Sequence, residues 1–84
     1  MKTTSSPESE AIRVRFFQAF AILKERKIGT IYEFAKKYDL DKSDLMKLRT
    51  VERKSIPGWY LAALINDYGV SADWLLLGEG EALK

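Results

Sequence analysis

Large apolar residues recur along this chain at spacings of three and four. Ile12, Phe16, Ala19, Phe20 and Leu23 form the first such stripe, the mark of a helix with one face turned to a core. Ser6-Pro7-Glu8 precedes it and reads as a helix start, with a cap, a proline in the first turn and an acid near the positive dipole end. The helix is expected to run to about Arg26, with Gly29 closing the segment. A second stripe, Ile31, Phe34, Ala35 and Tyr38, is shorter. A third helix is expected over Lys42 to about Thr50, with Leu45 and Leu48 inward. Pro57 opens a fourth, whose stripe is Tyr60, Leu61, Leu64, Ile65 and Tyr68 and which Gly69 ends. Ser71 caps a fifth, Ala72 to Leu77, which Gly78 stops. No segment alternates as a strand would, and no internal repeat is present. The pattern predicts an all-α, compact five-helix domain over residues 7–80, with a disordered amino-terminal tail at 1–6 and a carboxy-terminal tail at 81–84.

The second and third helices carry the most local detail. Thr30 stands three residues before Glu33, the spacing of a capping box. Asp39-Leu40-Asp41 must turn the chain, and Asp tolerates the left-handed backbone such a turn needs. Asp41 is placed to cap the third helix, and Leu40 to staple onto Leu45. With Leu45 and Leu48 inward, Ser43, Met46, Lys47 and Thr50 face out. A short helix, a tight turn and a second capped helix with a basic outer face make the layout of a helix-turn-helix, whose second helix enters a DNA major groove.

Composition narrows the chemistry. The 84 residues include no cysteine and no histidine. That removes disulfides and thiolate metal sites, and also the usual general base and commonest metal ligand. Glu79 and Glu81 are close carboxylates without a base, nucleophile or pocket signature beside them, so no enzyme is expected. No cofactor or small-molecule ligand is indicated. No apolar run is long enough to span a membrane, and residues 1–10 lack the apolar core of a signal peptide, so a cytoplasmic protein is expected. Net charge is only +2, but it is unevenly spread. From Ala11 to Thr30, Arg13, Arg15, Lys24, Arg26 and Lys27 stand against Glu25 alone. From Lys42 to Lys54, Lys42, Lys47, Arg49, Arg53 and Lys54 stand against Asp44 and Glu52. From Ser55 onward Asp67, Asp73, Glu79 and Glu81 outweigh Lys84. A basic front and an acidic rear would orient the domain on a polyanion.

Two segments give the chain a resemblance. One is Phe34-Ala35 followed by the turn and the Leu45/Leu48 helix. The other is the run from Tyr68-Gly69-Val70-Ser71 through Trp74-Leu75-Leu76-Leu77 to Gly78-Glu79-Gly80. Together, over roughly residues 12–80, they resemble the Cro and repressor family of phage-type helix-turn-helix domains. The resemblance implies a repressor-like fold and binding to double-stranded DNA. The chain departs from that family at four points. Asp39 stands at the turn position usually held by glycine, and Ile31 where a glutamine often opens the second helix. Arg49 takes the place of an acid late in the third helix, opposite Lys24, so two cations meet unless Glu25 or Glu52 compensates. The loop before Pro57 is about two residues longer than the common pattern.

Matching the resembled family residue by residue makes Lys42, Ser43, Met46 and Lys47 the expected base readers. Lysine donates to guanine O6 and N7, Ser43 can donate or accept, and Met46 suits a thymine methyl. Asp44 is either a partner for cytosine N4 or a helix-stabilising acid. Phosphate contacts are expected at Thr30, at Arg53 and Lys54, and at the backbone N–H groups of Gly58 and Trp59. The Trp59 side chain itself is expected in the core. Trp74, Leu76 and Leu77 are more apolar than one short helix can bury, and form a candidate surface for a weak homodimer. The leading expectation is a small phage- or plasmid-type repressor, dimeric on a pseudo-palindromic operator. A protein-interaction module or antitoxin-like adaptor that keeps the fold but binds DNA weakly or not at all is the alternative.

Overall fold

The computed structural model describes residues 7–50 and 56–84, and the side chains of 10–49 and 56–84. Among the described residues five helices follow in order: α1 (Pro7–Glu25), α2 (Ile31–Lys37), α3 (Lys42–Thr50), α4 (Gly58–Tyr68) and α5 (Asp73–Leu77). The domain is all-α, as the apolar spacing predicts. The expected tail at 1–6 and the loop Val51–Ser55 lie outside the described residues.

Each stripe turns inward. Phe16, Ala19, Phe20 and Leu23 from α1 meet Phe34 and Ala35 from α2, Leu45 and Leu48 from α3, Leu64 from α4 and Leu75 from α5. Ile56, Ala63 and Val70 complete the core without having been singled out by periodicity. No polar or charged side chain is buried among the described residues, so nothing in the core needs an internal hydrogen-bond partner. Phe34 is the hub. It is fully buried, and its ring lies 5.3 Å from Phe20, 5.2 Å from Tyr38, 5.6 Å from Tyr60 and 6.2 Å from Phe16, centre to centre. These are tilted and edge-on arrangements, which the ring quadrupoles favour over a face-to-face sandwich.

Three details differ from the sequence expectation. First, α1 is closed by Lys27, at φ 60, with Ile28 N–H bonded to Leu23 O at 2.9 Å, and not by Gly29. Gly29 has another role: a Cβ there would stand 2.7 Å from Tyr68 Cε1, so its lack of a side chain lets α4 pack on the α1–α2 connection. Second, α5 is wound as a single π turn rather than an α-helix. Ser71 does cap it, its hydroxyl accepting from Trp74 N–H at 3.3 Å, and Gly78 stops it at φ 75. Third, residues 81–84 fold back on the α4–α5 connection. Ser71 N–H donates to Ala82 O at 2.7 Å and Lys84 N–H to Gly69 O at 3.0 Å, leaving Val70 and Leu83 in an isolated antiparallel bridge.

Polar links also fix the helices relative to one another. Arg15 donates to Leu75 O at 2.9 Å and to Leu76 O at 3.1 Å, joining α1 to α5. Asp67 on α4 accepts from the Tyr38 hydroxyl and, at 3.1 Å, from Lys37 Nζ, joining α4 to the end of α2. Both donors hold the Asp67 carboxyl below its ordinary pKa, the tyrosine hydrogen bond more than the lysine.

Candidate nucleic-acid interface

The α2–turn–α3 unit is built from local chemistry. Thr30 is extended, and its hydroxyl accepts from Glu33 N–H at 3.2 Å. The Glu33 carboxylate accepts in return from Thr30 N–H at 2.9 Å, which completes the capping box. At the other end Asp39 takes φ 55, and Leu40 N–H bonds back to Ala35 O at 2.8 Å. Asp41 then caps α3 through Oδ1, which accepts from Ser43 N–H at 2.8 Å. Leu40 is half-buried against the cluster that contains Leu45, as a staple requires.

With Leu45 and Leu48 buried, α3 presents Lys42, Ser43, Met46 and Lys47 around one shallow, open depression. All four expected base readers therefore share a surface; the Thr50 side chain, expected to face out, lies outside the described ones. Lys42 leans toward α2, its Nζ 3.6 Å from the centre of the exposed Tyr32 ring. This cation–π contact joins the two helices at their outer edge. Hydrogen bonding and charge from Lys42, with charge from Lys24, hold the Tyr32 hydroxyl below its ordinary pKa. Lys47 stands 3.7 Å from Asp44 one turn earlier, both exposed. Such an exposed pair contributes little and can open when either group finds a better partner.

The expected phosphate contacts are placed unevenly. Arg53 and Lys54 lie outside the described residues. The Thr30 hydroxyl is engaged in the capping box, so an anion at that end would compete with Glu33 for it. Gly58 and Trp59 are exposed in the first turn of α4, where the first N–H groups of a helix have no intrahelical acceptor. The Trp59 side chain is not in the core: it is 49% exposed, edge-on to Tyr60 at 4.6 Å and to Tyr38 at 5.4 Å. Its position explains this. Residue 59 falls off the 60, 61, 64, 65, 68 stripe that faces inward.

The basic front is thinner than sequence alone suggests. Arg13 donates to Leu48 O at 3.1 Å and to Arg49 O at 2.7 Å, and is clamped by Glu10. It therefore caps the negative end of α3. With Arg15 bound to α5, both α1 arginines are structural. Lys24 and Arg49 instead line a cleft between α1, α2 and α3. No acid pairs with either of them among the described residues, and the Arg49 guanidinium lies 6.0 Å from the Phe17 ring centre. At the far end Leu75 is fully buried, Trp74 is half-buried against the core, and Leu76 and Leu77 are exposed at 40% and 66%.

The chain matches no known protein family, no curated protein and no solved structure. No helix among the described residues is long and apolar enough to cross a membrane.

Proposed function

We propose that this protein is a sequence-specific binder of double-stranded DNA, a small transcriptional regulator of the phage-type repressor kind. The observation that carries the reading is the convergence of Lys42, Ser43, Met46 and Lys47 on one open face of α3, on the side opposite Leu45 and Leu48. α3 is held rigidly, by Asp41 at its start and Arg13 at its end. A rigid helix suits base reading, which depends on fixed donor positions in the major groove. Trp59 and the exposed first turn of α4 would lie against the phosphate backbone, with Arg53 and Lys54 supplying further charge. Bound at a promoter, the domain would act sterically.

One such module reads only a few base pairs, so we also propose a weak homodimer that tightens on DNA. Leu76 and Leu77 supply the exposed apolar surface for it, and the two α3 helices would then lie roughly 34 Å apart, one DNA turn. Leu77→Asp should reduce cooperative binding while leaving helical content intact. Selection from a random duplex pool, followed by titration at two salt concentrations, tests the whole reading. A pseudo-palindromic preference is expected, with affinity falling steeply as salt rises. No enrichment at low salt would leave the interaction-module reading in its place.

A further inference from the structure

Apart from Met46, the cleft between α1 and the α2–α3 pair is not used by that function. Its floor is apolar, formed in part by Phe17, Phe20 and Met46, and its rim carries Lys24, Arg49 and the Tyr32 phenol. Two features define what would fill it. The cations come from different helices, and neither has an acid partner among the described residues. The floor is built of aromatic rings and a thioether, which favour a flat apolar body over a hydrated ion. Inorganic phosphate would satisfy the rim but leave the floor against water. A neutral ring would do the reverse. The cleft, at about 240 Å³, falls below the roughly 300–1,000 Å³ typical of drug-sized ligands, so a one-ring molecule is the right scale.

We propose that this cleft binds a small aromatic carboxylate, with its ring on Phe17, Phe20 and Met46 and its carboxylate between Lys24 and Arg49. The inference does not depend on DNA binding. Met46 supplies a local reporter, because it lines both this cleft and the outer depression of α3.

The test is a titration of the full chain, without DNA, followed through the Met46 methyl resonance. Three probes are compared: benzoate, benzyl alcohol and inorganic phosphate. Benzoate should shift the resonance saturably with a Kd of about 1 mM, a reasonable affinity for a ligand of that size. Benzyl alcohol and phosphate should each bind about tenfold more weakly, since each meets only half of the site. Lys24→Gln and Arg49→Gln, both at exposed positions, should each weaken benzoate about fivefold or more and leave benzyl alcohol unchanged. Equal affinity for benzoate and benzyl alcohol would overturn the proposal, as would equal affinity for benzoate and phosphate, the latter marking the site as one for a backbone phosphate. Indifference of benzoate to both substitutions, or no saturable shift by about 20 mM benzoate, would overturn it as well.

Discussion

Phe34→Ala is the sharpest test of how the aromatic core is held together. The Phe34 side chain is completely buried, and four aromatic rings, from α1, α4 and Tyr38 at the end of α2, surround it. Removing it deletes the ring's transfer free energy and leaves a cavity whose walls are themselves rigid rings. Collapse around such a cavity is limited, which puts the cost toward the upper part of the ~3–5 kcal/mol range for buried Phe→Ala changes. For a domain of 84 residues, a total stability of about 4–13 kcal/mol is expected at ~0.05–0.15 kcal/mol per residue. One substitution would therefore remove a third or more of the stability, and at the low end nearly all of it. In Tm the loss should exceed ~12 °C, since each kcal/mol shifts a domain of this size by about 4–8 °C. Urea unfolding followed by far-ultraviolet circular dichroism measures this, with Leu77→Ala as the surface control. Leu77 is 66% exposed, so its change should stay within about 0.5 kcal/mol. A Phe34→Ala cost under about 1.5 kcal/mol would refute the reasoning, because a ring buried among four others cannot be that dispensable.

Two further outcomes follow from other contacts. Lys27 and Asp39 both sit at positive φ, where an ordinary side chain costs about 1–2 kcal/mol and Asp costs less. Glycine removes that strain but adds about 0.5–1 kcal/mol of unfolded-state entropy. Lys27→Gly should therefore stabilise modestly in thermal unfolding and Asp39→Gly should be near neutral; a destabilised Lys27→Gly would contradict the closure assigned to α1. The Asp67 carboxyl has a lowered pKa in the fold, so its contribution is present above the ordinary carboxylate pKa and is lost as pH falls through the depressed value. Tyr38 and Lys37 are raised by the same carboxylate, so their contribution holds below their ordinary values and is lost as pH rises through the raised ones. Asp67→Asn should flatten both the acid and the alkaline decline of stability, and a pH profile identical to that of the unaltered chain would rule the link out.

What the sequence made legible is what is encoded locally. The Thr30–Glu33 box, the turn at Asp39 and the Asp41 cap each involve residues within a few positions of one another, and all three are formed. The apolar stripes marked most of the core for the same reason. Arg13 and Arg15 were illegible because their partners are main-chain carbonyls 35 or more residues away, and a carbonyl leaves no trace in a residue pattern. Gly29 looked like a helix stop, while its smallness serves a Tyr68 ring brought in by tertiary packing. Tyr32 and Trp59 did leave a signal. Each is an aromatic residue one place off its helix's inward stripe, and each is exposed beside the expected DNA contacts.

The outer face of α3 can be tested most directly by comparing the duplexes enriched by the unaltered chain with those enriched by Lys47→Ala and by Lys36→Ala. Lys36 is an exposed cation on α2, outside the α3 depression. Lys47→Ala should relax preference at one or two base pairs of each half-site and cost about 1–3 kcal/mol at the preferred sequence. Lys36→Ala should leave the enriched sequence as it was. If Lys47→Ala enriches the same sequence with the same affinity, α3 does not read DNA.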